Sequence, residues 1–593
     1  MSDSAGRAND SGSNAPWPGS HRMPRWDRAE LIEAPMFRGR NALWMIGPGL
    51  VMGAAAIGGG EWLSGPAVTA KYGASLLWVA TVSILFQVVY NIEISRYTLY
   101  TGEPIFTGKL RVPPGPLVWV VLYLLLDWGS VAPYLAANAT VPLETLWLGR
   151  LPNADVYPGD WWVHKIFSTV VYLLAMVPLV VGGKIYNSLK VLMSAKLVIV
   201  VGFLMLLGVF FTRTSTWGEI SSGLFKFGSV PVLTGEDRNG NGQLDPGEDF
   251  DGDGRLDGIE PATLVDGKAG FADVDGDGIR DGANVDNFLT AWWHGRPWPE
   301  VDFAMIGVIA GLAAIAGNGG LTNTPISNFT RDQGWGMGHH VGAIPSMVGG
   351  EGITLSHVGC VFDVNDRSLP RWRRWVRHVV REQVFVWLVA CLIGVSLPSI
   401  LSVEFLQRGT DARDWSGAAM TADGVRKFVT SPRPDVLVSR LGLADVLAGP
   451  TLGNLAWNCT LLCGFLVLIT SHITTMDGFV RRWVDVLWTA SPRLRELPVS
   501  EVRLVYLAVL LLYGVCGLTL LWTLDKPSFI FRLSTTGYNF AFAFSAWHTI
   551  VVNHLLLPRP LRCHWLMSVF LFFAGCFFTL LGIMSTLQLF SLI

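Results

Sequence analysis

Eleven apolar stretches, each long enough to cross a bilayer, run through this chain and limit what it can become. They cover about 42–70, 76–100, 116–147, 163–182, 187–212, 302–331, 380–402, 451–475, 503–524, 528–553 and 565–592. A helix needs roughly 20 predominantly apolar residues to span the hydrocarbon. In lipid every backbone polar group must be satisfied internally, so the expected fold class is an all-α membrane protein. With 51% of 593 residues hydrophobic and only 15% charged, the composition agrees. The polar stretch 1–40, rich in Ser, Gly, Pro and Arg, reads as a disordered tail, with no cleavable signal peptide before the first span. The division expected is a tail (1–40), spans 1–5 (41–212), an acidic insert (213–300) and spans 6–11 (301–593).

Basic residues set the orientation. Arg22, Arg25, Arg28, Arg38 and Arg40 precede the first span, which puts the N-terminus in the cytoplasm. Alternation then places Lys109 with Arg111, Lys184 with Lys190, the arginines from Arg367 to Arg381, Arg481 with Arg482, and Arg559 with Arg562 in cytoplasmic loops. The expected location is the plasma (inner) membrane, with lipid as a partner and no nucleic acid. The seven cysteines are odd in number and form no CxxC pair, so they read as small apolar residues.

The net charge of −2 conceals a split. Residues 236–286 hold 15 acidic against four basic side chains, and the insert falls on the external side. Two twelve-residue stretches, DRNGNGQLDPGE (237–248) and DFDGDGRLDGIE (249–260), match the EF-hand calcium loop in full. Asp237, Asn239, Asn241, Asp245 and Glu248 supply oxygens in the first, and Asp249, Asp251, Asp253, Asp257 and Glu260 in the second. A third loop keeps Asp273, Asp275, Asp277 and Asp281 but ends in Asn284. With no helix between the first two loops, they resemble the calcium-stapled repeats of dockerin and thrombospondin type 3 modules. Bound Ca2+ is expected to be structural, because so few apolar residues cannot fold the module alone. An acidic solubilising loop is the plainer alternative.

Two spans are interrupted. Span 1 contains AAAIGGGEWLSGP (54–66), and span 6 contains AGNGGLTNT (316–324). Glycine-broken helices at corresponding positions of two repeats, here spans 1–5 and 6–10, point to the substrate site of a secondary transporter. An ionisable residue inside the membrane is a functional candidate by default, which singles out Glu61. The expected substrate site is Gly58, Gly59, Gly60, Glu61, Gly317, Asn318, Gly319, Thr322 and Asn323. The competing interpretations are close packing through small residues, a helix cap at Asn318, and a structural ion pair of Glu61 with a buried base such as Arg96. Glu93 and Arg96, one turn apart, read as an ion pair or gate.

Residues 46–62, IGPGLVMGAAAIGGGEW, resemble the first helix of the natural resistance-associated macrophage protein (Nramp) family of divalent-metal transporters. The order of spans and the basic internal loops resemble that family over roughly residues 40–592 without the insert. The resemblance implies a leucine-transporter-like five-plus-five inverted repeat with broken helices 1 and 6. It also implies proton-coupled symport of a divalent metal. On the family's Asp-Pro-Gly-Asn break, Gly58 stands where the metal-binding Asp is and Glu61 where the Asn is. Ala316, Gly317 and Asn318 stand where its Met-Pro-His is, so the thioether ligand is gone. Asp127 matches the first acid of the family's proton-path pair, and Ser130 falls where the second would be. An all-oxygen set favours a hard ion such as Mg2+, Ca2+ or Mn2+. The alternatives are a cation-coupled symporter of a small organic solute and a non-transporting calcium-sensing membrane protein. No P-loop, nucleophile elbow or HExxH motif is present, so no enzyme is expected.

Overall fold

The computed structural model describes residues 23–35, 58–181, 185–232, 285–295, 297–299, 301–342, 358–410, 412, 414–495 and 501–592. The chain is an integral multi-pass membrane protein. Among the described residues, seven helices are long and apolar enough to cross a bilayer. An eighth is a pair, Pro116–Leu126 and Trp128–Leu148, bent by 50°.

Each of the eleven apolar stretches contains helix. In the first half these are α1 (Gly59–Tyr72), α2 (Trp78–Thr101), the short α3 (Ile105–Arg111), α4 (Pro116–Leu126), α5 (Tyr134–Leu148), α6 (Gly159–Val181) and α7 (Ile185–Phe210). In the second half, α8 (Ile306–Ile315) and α9 (Pro325–Asp332) share one stretch. They are followed by α10 (Ser368–Glu382), α11 (Leu388–Phe405), α12 (Pro450–Ala490), α13 (Val502–Thr523), α14 (Pro527–Leu556) and α15 (Trp565–Leu589). A π-helical turn over Gln383–Trp387 joins α10 to α11. The amino-terminal part of the first expected span, 42–57, lies outside the described residues.

Small residues bring the central helices together. Gly65 of α1 leaves no room for a side chain against Ser399, and one turn on Thr69 Oγ1 meets Ser402 Oγ at 2.6 Å, locking α1 onto α11. Across the other face of α1, a Cβ at Gly60 would stand 2.7 Å from the carbonyl oxygen of Ile315. Ser83 of α2 donates to Ala313 O at 2.6 Å, which adds α2 to the same core. The helices α1, α2, α8, α12 and α14 thus surround the interruption in span 6.

Two expectations about loops are corrected. The sequence places Arg481 and Arg482 in a cytoplasmic loop, but both lie on α12, a helix of 41 residues, about 60 Å at 1.5 Å per residue. Both are buried, because Asp477 and Asp127 neutralise them inside the bundle. Arg371 to Arg381 likewise lie on a helix, α10, that runs on into the span. Part of the expected tail is docked: β1 (Asp27–Arg28) pairs in parallel with β4 (Cys360–Val361), and Met23 and Leu31 are buried. The insert enters and leaves through an antiparallel ribbon of β2 (Ser229–Pro231) and β3 (Val285–Asn287). Its calcium-loop residues, from Asp237 to Asp281, lie outside the described residues.

Candidate substrate site at the paired helix breaks

Helix α1 starts at Gly59 with Gly58 extended before it, and Glu61, three residues in from that cap, turns back on its own helix start. Its Oε2 accepts the Gly58 N–H at 3.0 Å, the acidic half of a capping box. Its Oε1 accepts the Gly317 N–H at 2.7 Å, 256 residues away. One buried carboxylate therefore joins the two breaks. Arg96 is not its partner: it binds Glu93 at 3.1 Å, and Glu93 also accepts from Asn553 Nδ2 at 3.0 Å, the ion pair expected for those two.

The second break is built by glycine. Helix α8 stops at Ile315, and Gly317 (φ +88°) and Gly320 (φ +58°) take left-handed conformations that residues with a Cβ rarely adopt. A 3₁₀ turn, Gly320–Asn323, leads to α9, whose first residue is Pro325. The unwound backbone is held by Gln87 of α2. Gln87 Nε2 donates to Ala316 O at 2.6 Å, and its Oε1 accepts from Asn318 N at 3.0 Å and Asn323 Nδ2 at 2.9 Å. Irregular backbone at membrane depth needs such internal partners.

Gly58, Gly59, Gly60, Glu61, Gly317, Asn318, Gly319 and Thr322 line one cavity of about 50 Å³. A single water needs about 10–15 Å³, so the space suits an ion with a few waters. Asn323 is the exception: its amide also donates to Asn318 O at 2.5 Å, behind the break, so it shapes the backbone without lining the cavity. Gly59 and Gly60 serve packing as well, since a Cβ on either would collide with Leu135 or Ile315.

Three groups escaped the sequence reading. Gln87 is one. The second is the α12 wall of the cavity, with Ser471, Thr474, Thr475 and Asp477. Asp477 is held by Arg481 Nε at 2.8 Å and Tyr506 OH at 3.1 Å, and its i,i+4 spacing to Arg481 was the available signal. The third is Arg482, the partner of Asp127. Asp127 sits at the bend between α4 and Trp128–Val131, outside the cavity lining. It accepts from Arg482 at 2.6 Å, Trp483 Nε1 at 2.8 Å and Ser130 Oγ at 2.7 Å. Arg482 also donates to Leu321 O at 3.0 Å, tying Asp127 to the second break. No cluster of three or more His, Cys, Asp or Glu side chains suited to a metal occurs among the described residues.

No protein-family profile matches the chain, and no curated protein matches it. Solved structures of the manganese transporter of Eremococcus coleocola do. A histidine-to-alanine variant of it is 12% identical with a TM-score of 0.51, covering 95% of this chain and 90% of that one. Its complex with an aromatic bis-isothiourea-substituted compound is 12% identical with a TM-score of 0.51, covering 94% and 89%. The fold is Nramp-like. An Nramp-like fold with α8 and α9 as halves of one broken span agrees with the architecture implied by the first-helix resemblance.

Proposed function

We propose that the chain is a secondary transporter of a divalent metal cation, which binds between the breaks of spans 1 and 6. The carrying observation is Glu61, whose buried carboxylate joins both breaks at the wall of an ion-sized cavity. The solved structures named above are of a manganese transporter, which agrees with a metal substrate. The named polar lining is carboxylate, hydroxyl, amide and backbone, without a thioether or imidazole, so the ion is a hard one: Mn2+, Mg2+ or Ca2+. Glu61 supplies the negative charge, since Asp477 is paired with Arg481, and carbonyls of the unwound segments with Ser471, Thr474 and Thr475 supply neutral oxygens. The cavity's size favours this reading over an organic solute. Coupling to protons through Asp127 and a cytoplasmic N-terminus in the inner membrane are parts of the same proposal.

The test is uptake of Mn2+, Mg2+ and Ca2+ into liposomes carrying the purified chain, with an internal pH dye. Saturable uptake of at least one ion above protein-free vesicles is expected; none for all three removes the metal reading.

The external insert is proposed to hold structural Ca2+ in its first two loops. Chelating Ca2+ from the full-length protein is expected to make 236–286 a preferred protease site, while metal uptake stays within about twofold, less than 0.5 kcal/mol. Equal cleavage with and without Ca2+ would remove this assignment. Such modules fold on the ion, so its loss should expose their backbone.

A further inference from the structure

The ammonium of Lys109, on the short helix α3, is fully buried, yet no carboxylate among the described residues is its partner. It donates to Ser545 Oγ, to Ser545 O at 3.2 Å and to Tyr90 OH at 3.4 Å. Three rings surround it, with centroids at 5.1 Å (Tyr123), 5.6 Å (Tyr90) and 5.8 Å (Phe106). The charged and titratable groups facing it are Tyr90 from α2, Tyr123 from α4, His548 from α14 through Tyr123 OH (2.9 Å), and Arg482 from α12. Rings and hydroxyls attract a cation only weakly compared with the cost of stripping it of water. A lysine so placed is a group that changes charge readily.

Its position connects it to the substrate site. The Arg482 guanidinium lies 5.6 Å from the centroid of the same Phe106 ring that Lys109 faces. Arg482 in turn holds Asp127 and the Leu321 carbonyl at the second break. Two cations thus share one ring, and the charge of the first is felt by the residue that anchors the break.

We propose that Lys109 is a proton-binding site of the transport cycle, neutral in the caged arrangement and charged when the surrounding helices part and admit water. The neutral amine keeps two donors for Ser545 and offers its lone pair to the Tyr90 hydroxyl. Opening the cage takes a proton from water onto Nζ, and closing it returns that proton to water, so no other donor is needed. Burial, and then the repulsion of Arg482, hold the Lys109 ammonium well below the ordinary lysine value. The caged state therefore binds the proton less tightly than the open one. It is favoured at high pH and loses ground as pH falls from about 10.4, the free lysine value, to the lowered one.

The proposal rests on the transport reading, so its test has one arm that needs no flux. Full-length protein in detergent, without metal, is melted between about pH 7 and 10, the range below the free lysine value. The comparison is between wild type, Lys109→Met and Lys109→Arg. Wild type is expected to lose stability as pH falls within that window. Lys109→Met is expected to lack this slope and to melt no lower than wild type at the acid end. In liposomes, both variants are expected to flatten the pH profile of metal uptake, since each fixes one charge state. A Lys109→Met protein that keeps the wild-type slope overturns the proposal, as does one that melts lower at every pH with the slope unchanged. If the slope vanishes while wild type carries no metal, the proton site stands and the transport reading fails.

Discussion

Glu61→Gln is expected to lower metal uptake at subsaturating concentration by about 10–100-fold and to leave the protein folded. The carboxylate has two jobs at once: it accepts the Gly58 and Gly317 N–H groups and faces the cavity as a charge. Glutamine keeps the length but offers one acceptor oxygen and an NH2 group that confronts a second N–H donor. One of the two break contacts is lost, and with it the charge available to a cation. A hydrogen bond to a charged group contributes about 1.5–3 kcal/mol, and 1.4 kcal/mol is tenfold in affinity, which sets the range. Glu61→Asp keeps the charge but shortens the reach, so it should fail to hold both amides and fall between the two. The measurement is initial uptake against metal concentration in liposomes, with monodispersity and melting temperature recorded alongside. Uptake within twofold of wild type in a well-folded Glu61→Gln protein would sink the site assignment.

That such a residue could be found in the sequence at all is a matter of contrast. Glycines and a carboxylate stand out in an apolar run because lipid makes both expensive, and AGNGGLTNT stands out for the same reason. The spans were legible on the same grounds, down to the interruption that separates α8 from α9. Gln87 is not, since a neutral amide in a membrane span carries no charge penalty and nothing nearby in sequence marks its partners. Its three contacts at the break come from residues 229 to 236 positions away, and its fourth is with Ser83 on its own helix. Arg482 is misleading in the sequence for a related reason. Basic residues at the end of an apolar stretch read as a cytoplasmic loop unless their counter-charge is known, and Asp127 lies 355 residues away. The docking of residues 23–35 was hidden likewise, because its support is a two-residue strand and the burial of Met23 and Leu31 against distant surfaces.

Arg482→Met is expected to cost about 3–5 kcal/mol of stability, the usual penalty for leaving one member of a buried pair behind. Both side chains are 1% exposed, and Asp127 would retain only Ser130 and Trp483 as donors. The variant should melt several degrees below wild type and express poorly. Asp127→Asn should be milder, because the amide oxygen still accepts from Trp483 while Arg482 keeps Leu321 O. The double variant separates an electrostatic role from a packing one. If the pair's main cost is an uncompensated charge, Asp127→Asn/Arg482→Met regains most of the stability lost in Arg482→Met. If the guanidinium instead matters for its bond to the Leu321 carbonyl, the double variant stays low and the losses add. Melting temperatures of the four proteins in one detergent decide between these outcomes. Recovery with metal uptake still absent would then assign Arg482 a part in positioning the second break, beyond its neutralisation of Asp127.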